Sequence, residues 1–131
     1  MTDTIILVDF DGTCVKHEYP NIGSDIGAVP VLKRLVANKN KLILFTMRSN
    51  RESERATLKE AEGWFKQNDI PLFGVQVNPT QHHWTDSPKA YGHLIIDDIC
   101  LGIPLVNEGN GRAHVDWERV ELMLFGNNLK E

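Results

Sequence analysis

The sequence predicts an α/β domain spanning residues 1–131, a three-layer α/β/α sandwich built on a central parallel, Rossmann-like sheet. Two observations lead there. Short apolar runs such as "IILV" (5–8) and "LILF" (42–45) lack polar alternation, as strands buried on both faces do. Between such runs lie stretches whose apolar residues recur at helical spacing, and strand–helix–strand order calls for a parallel sheet with right-handed crossovers and helices on both faces. A chain of 131 residues supports one core and leaves little for a second.

Taken in order, the first strand is "IILV", followed by "DFDGT" (9–13) and a polar stretch, 14–27, broken by Pro20, Gly23 and Gly27. This stretch is expected to form a short flap. A helix should start near Pro30, a favoured first-turn residue, with Val31, Leu32, Leu35 and Val36 on its buried face. "LILF" is the second strand. "SNRE" (49–52) has the form of a capping box and is expected to open a helix burying Leu58, Ala61 and Phe65, which stops before Pro71. "LFGVQV" (72–77) reads as a third strand, "HLIID" (93–97) as a fourth, and "IPLV" (103–106) as a short fifth. Asp116 should cap a last helix, "WERVELMLF", with Gly126 beyond its end. Trp64, Phe65 and Met123 stand at helical spacings and are expected in the core.

The bulk numbers exclude several classes. With 41% hydrophobic and 24% charged residues, neither disorder nor a fibrous repeat is indicated. A net charge of −4 disfavours broad nonspecific binding to nucleic acid, so nucleic acid is not an expected partner unless a local basic patch exists. No apolar run approaches the roughly 18 residues of a membrane span, so no membrane partner is expected. "MTDT" leads straight into a strand and does not read as a signal peptide. Cys14 and Cys100 show no paired metal spacing and read as small hydrophobes, which suits a reducing cytoplasm.

In parallel α/β folds ligands sit at the carboxyl ends of the strands. Those ends carry Asp9 and Asp11 after the first strand, Thr46 and Arg48 after the second, Asn78 after the third, and Asp97 and Asp98 after the fourth, with Lys89 just before it. Strand alternation would send Asp9 and Asp11 out on the same side. Four carboxylates at one rim repel one another unless a cation or proton is present. Hard oxygen ligands with room for water suit Mg²⁺ together with a phosphate.

"DFDGT", a lone Thr after "LILF", a Lys, and then "IIDD" after an apolar strand, in that order over residues 5 to 98, resemble the haloacid dehalogenase superfamily. "HEYPNIG" and the Thr46–Met47–Arg48 step are similar to a small capless subgroup of hydrolases within it. The resemblance implies a Mg²⁺-dependent phosphatase without a cap domain. Asp9 would be the nucleophile forming an aspartyl-phosphate, and Asp11 the acid and base. Mg²⁺ would be held by Asp9, the main-chain carbonyl of Asp11 and Asp97, with Asp98 helping through water. Thr46 would donate to a phosphoryl oxygen, Lys89 would neutralise charge in the transition state, and N–H groups around Phe10 and Gly12 would complete the phosphate cradle.

Other readings stand beside these. Arg48 either binds phosphate or pairs with a carboxylate, and His17 and Tyr19 either touch substrate from the flap or are exposed loop residues. His82 and His83 make a poor chelating pair, since adjacent residues in an extended chain point apart. A receiver-type signalling domain is also a small parallel α/β unit with clustered Asp, Thr and Lys. Its phosphorylated Asp ends the third strand, however, where this chain has Val77 and Asn78. A non-catalytic phosphate-binding protein of the same fold is the other alternative. The expected partner is a phosphorylated substrate, either a small molecule or a phosphorylated polymer end. A homo-oligomer, in which a second copy serves as lid, is compatible with a capless site.

Overall fold

The computed structural model describes residues 1–51, 54–109 and 111–126. In chain order the elements are β1 (Ile5–Val8), α1 (Ala28–Ala37), β2 (Lys41–Leu44), α2 (Thr57–Gln67), β3 (Gly74–Val75), β4 (Leu94–Ile96), β5 (Leu105–Val106), β6 (His114–Val115) and α3 (Trp117–Phe125). The main sheet is parallel, in the order β3-β2-β1-β4. Its register sets Val8 beside Leu44 on one side and beside Ile96 on the other. The residues that follow these three strands therefore emerge side by side at one rim.

The α/β class and the central parallel sheet follow from the apolar runs. Ile6, Val8, Leu42, Leu44 and Ile96 face one cluster, which also takes the buried residues of all three helices, among them Leu32 and Leu35 of α1, Phe65 of α2 and Val120 of α3. The opposite face, with Leu7 and Ile43, meets Ala90 and, at its margin, Phe73. The helices expected on both faces thus stand on one. The third layer is helix-free and drawn from the chain between β3 and β4. Successive right-handed crossovers from β1 to β2 to β3 progress in one direction and leave α1 and α2 on the same face, whereas the step back to β4 crosses the other face. That crossing carries the breakers Pro79 and Pro88 and no apolar helical stripe.

Other boundaries differ for local reasons. α1 starts at Ala28 after Gly27, whose φ of 91° is open to glycine, so Pro30 lies inside the first turn. The capping box at 49–52 does not open α2, which begins at Thr57, and Glu52 lies outside the described residues. Instead the Ser49 carbonyl accepts from Leu58 N–H at 3.1 Å and Asn50 Oδ1 from Lys59 N–H at 3.0 Å, so the first turn is capped from an earlier loop. The third strand shrinks to two residues because Gln76 adopts a φ of 66°, which no strand accommodates. "IPLV" supplies β5, which pairs antiparallel with the unforeseen β6. α3 forms as expected, with Asp116 accepting from Arg119 N–H and Gly126 at its end. Met123, expected in the core, is 69% exposed.

Candidate functional site

The end of β1 divides its two carboxylates. The ladder continues one residue beyond the strand, with Asp9 N–H donating to Ile96 O at 3.0 Å. The chain then turns tightly, Thr13 and Cys14 N–H both donating to Phe10 O. This turn sends Asp11 toward β2 and leaves Asp9 facing the loop after β4. Strand alternation, which would have kept them together, does not extend past Val8.

On the β4 side, Asp9, Asp97 and Asp98 bring one carboxylate oxygen each within 4.8 Å of one another. Thr13, fully buried, ties two of them together. Its hydroxyl donates to Asp9 Oδ2 at 2.8 Å and accepts from Asp98 N–H at 3.0 Å. Asp97 Oδ1 accepts from Ile99 N–H at 3.0 Å, closing the turn after β4. His17 Nε2 donates to Asp98 Oδ2 at 2.9 Å. Among the described residues neither Asp9 nor Asp97 has a Lys or Arg ion-pair partner.

The electrostatic consequence is visible in the acids themselves. Burial pushes the Asp9 carboxyl up to about 7 from its ordinary 3.8, reinforced by the charge of Asp97 and opposed by the Thr13 hydroxyl and the Phe10 N–H. Asp97 is raised as well, by burial first and then by Asp98, against the pull of Ile99 N–H. The Cys100 thiol beside them is raised by burial and by the fields of Asp97, Asp9 and Asp98.

On the β2 side the arrangement is the reverse. Arg48, its side chain 1% exposed, forks onto Asp11 with Nε–Oδ2 at 2.8 Å and Nη2–Oδ1 at 2.7 Å. Its remaining donors reach the carbonyls of Asn21 (2.8 Å), Pro20 (3.2 Å) and Thr57 (3.3 Å), so every N–H of the guanidinium has a partner. The rings of Phe10 and Tyr19 lie 5.0 and 5.2 Å from its central carbon. Arg48 is therefore an internal anchor joining Asp11, the 14–27 segment and the start of α2, and has no donor left for a phosphate.

Other sequence-predicted residues sort as follows. Thr46 stands at the rim with its main chain clasped by Gln76, whose amide accepts from Thr46 N–H at 2.9 Å and donates to Thr46 O at 2.6 Å. The Thr46 hydroxyl accepts from Arg48 N–H and keeps its own proton to donate. Gly12 cannot lend its N–H to a ligand, because that group donates to Val15 O at 2.8 Å. Glycine is required there for another reason: φ is +80° and a Cβ would land on the His17 imidazole. Phe10 packs its ring against Trp64 and Phe65 and turns its N–H to the Asp9 carboxyl. Lys89 is exposed and, among the described residues, forms no ion pair with the cluster. Its carbonyl, not its ammonium, is fixed, by Gln81.

Residues 14–27 are no loose flap. Cys14 and Val15 are fully buried, and Ile22 and Ile26 pack against the core. The sequence pattern alone points to no role for Thr13 or Gln76. Thr13 carries a signal only as the last residue of "DFDGT". Gln76 gave none, since its role rests on a backbone reversal after β3. A cavity of about 820 Å³ lies elsewhere, between α2 and β3, and none of the four carboxylates lines it.

Among the described residues no helix is long and apolar enough to cross a membrane, and Cys14 and Cys100 are unpaired. No family model matches the chain, and no curated protein matches it. The solved structure of a conserved protein coded by a locus of Bacteroides thetaiotaomicron is similar, at 34% identity over 94% of this chain and 90% of that one, with a TM-score of 0.73. At that identity and coverage the chain belongs to the same family as this conserved Bacteroides thetaiotaomicron protein.

Proposed function

We propose that this protein is a Mg²⁺-dependent phosphohydrolase of the haloacid dehalogenase type, with Asp9 as nucleophile. The observation that carries the proposal is the cluster of Asp9, Asp97 and Asp98, three carboxylates at one strand rim with, among the described residues, no basic ion-pair partner for Asp9 or Asp97. Oxygen-only donors at this spacing fit a hard divalent cation, and burial, with neighbouring carboxylates adding to it, raises the Asp9 and Asp97 carboxyls. A bound cation would supply a counter-charge and polarise the phosphoryl oxygens. The main-chain carbonyl of Asp11 would complete the ligand set, since its carboxylate is occupied by Arg48.

The chain's own groups would do the rest. Thr13 holds one Asp9 oxygen, leaving the other to attack phosphorus. A new Oδ–P bond forms as the bond to the leaving oxygen breaks, and water then attacks the aspartyl-phosphate to release phosphate and restore Asp9. Thr46 can donate its proton to a phosphoryl oxygen. Asp11 keeps one lone pair on each oxygen, where it could carry a proton to the leaving oxygen in the first step and take one from water in the second, and holding that proton would weaken the Arg48 fork in both. Lys89 would have to swing to the rim to act there.

A receiver domain is disfavoured by the sheet. Its strand order is 2-1-3-4-5, whereas β3 here lies outside β2. The open rim suits a small phosphoester, a phosphorylated polymer end, or a second copy acting as lid, in a reducing cytoplasm. The test is phosphate release from sugar phosphates, nucleotides and end-phosphorylated oligonucleotides with Mg²⁺. Release that vanishes in Asp9→Asn is expected. Release that persists in Asp9→Asn, or none from any class, overturns the proposal.

A further inference from the structure

We infer that His17 is a positioning residue for the candidate metal centre, holding Asp98 so that its second oxygen is presented to the cation. The inference rests on the cation reading above and adds to it a residue from outside the strand ends. His17 and Asp98 are 81 positions apart, yet their side chains are only 14% and 9% exposed and meet at 2.9 Å. A carboxylate only accepts, so the proton between them belongs to Nε2. That bond stops rotation of the Asp98 carboxylate. It occupies Oδ2, while among the described residues the one hydrogen-bond donor near Oδ1 is the Thr13 hydroxyl, at 3.5 Å.

The segment bearing His17 is built to hold it still. Its neck is closed by Lys16 N–H donating to Ser24 O at 3.0 Å and by the antiparallel bridge between Val15 and Asp25. Gly23 lies so close to the Lys16 carbonyl that no side chain fits there. Its tip is gripped by Arg48 through the carbonyls of Pro20 and Asn21. Gly12 clears the space the imidazole fills. With both ends of the loop fixed, little further ordering entropy is lost when the ring donates. Mg²⁺ prefers oxygen, so an imidazole whose Nε2–H points at a carboxylate serves as partner to a ligand and not as a ligand.

Two variants isolate the hydrogen bond in the full chain. His17→Met fills the space without an N–H, and His17→Gln retains one. Mg²⁺ affinity is measured by titration calorimetry, with thermal unfolding of the metal-free proteins alongside. Loss of a partner behind a metal ligand weakens affinity about 10–100-fold. The expected result is that loss in His17→Met, near-parental affinity in His17→Gln, and similar metal-free melting temperatures. Parental affinity in His17→Met overturns the inference, as does equal weakening in both variants, which would make the imidazole itself a ligand. A parent protein that binds no Mg²⁺ overturns the cation reading itself, and so is told apart from failure of His17 alone.

Discussion

At the end of β1, Asp11 meets a buried guanidinium through two short hydrogen bonds, whereas Asp9, two residues earlier, faces Asp97 and Asp98 with a hydroxyl and a peptide N–H as its donors. The residue type is the same and the separation is one turn of chain. What differs is what the neighbouring strands deliver. β2 brings Arg48 to one side, and the loop after β4 brings two more acids to the other. A compensated buried charge holds structure together, while an uncompensated group of like charges is maintained only at a cost in stability. On the proposed reading the Asp9 side carries the cation and the nucleophile, and Arg48 fixes Asp11 beside it.

The largest effect should come from reversing the Asp9 side. Asp9→Asn removes the charge of the proposed nucleophile, so phosphate release should fall to background while the metal-free protein melts a few degrees higher, about 1 kcal/mol. A variant that is inactive but less stable would mean that the Asp9 charge is not a strain on the fold.

Next is the Asp11 side. Arg48→Met leaves Asp11 without its ion-pair partner and takes one donor from each of the Pro20, Asn21 and Thr57 carbonyls, which should cost about 3–5 kcal/mol in urea unfolding. Arg48→Lys should recover only part, because an ammonium cannot fork onto a carboxylate. An unchanged midpoint in either would break the comparison.

The pH dependence of the metal-free protein sharpens it further. The folded Asp9 carboxyl stands at about 7, above its ordinary 3.8, so its protonated form favours the fold. That contribution is complete below about 3.8 and is lost as pH rises through about 7. Asp97 is shifted in the same direction. Melting temperature should therefore fall between pH 5 and pH 8, by up to about 1.4 kcal/mol per pH unit from Asp9, and the fall should flatten in Asp9→Asn. A parent curve that rises over this range contradicts the assignment.

Mg²⁺ should reverse that loss. At about one hundred times its dissociation constant, a ligand of the folded state adds about 2.7 kcal/mol. Thermal shift should rise with Mg²⁺ in the parent and in Lys89→Ala but little in Asp9→Asn. An equal shift in all three would place the cation elsewhere.

The smallest expected effect is on stability in Lys89→Ala, within about 0.5 kcal/mol, since the ammonium is exposed and, among the described residues, without an ion pair. Turnover is the discriminating readout there. A loss of tenfold or more would mean that Lys89 reaches the rim in the working state, and unchanged turnover would remove it from the site.

Much of the frame was legible in residues close in sequence. α3 could be delimited because Asp116 and Gly126 act within one turn of it. β1, β2 and β4 were found within a residue or so because their apolar runs are continuous. β3 was overextended because its end depends on Gln76 turning back to clasp Thr46, a bond across 30 positions. The start of α2 was misplaced for a similar reason: residues 49 and 50 do cap that helix, but over a loop and not from its first turn. Its place after β2 marks Arg48 in the sequence without deciding between phosphate and carboxylate as its partner. Burial and the carbonyls of the 14–27 segment made it an anchor.

Sequence by itself determined which residues would stand at the strand ends, because apolar periodicity is a short-range property and a strand must end where the charged residues begin. It thereby named Asp9, Asp11, Thr46, Asp97 and Asp98 as neighbours at one rim. Only the tertiary structure decided how their charges are matched. Arg48 reaches Asp11 across 37 positions, His17 reaches Asp98 across 81, and Thr13 reaches Asp98 across 85. Whether a carboxylate is an anchor or a reactive group depends on the charges and donors within a few ångströms of it, and chain crossings that no local pattern encodes bring those groups together.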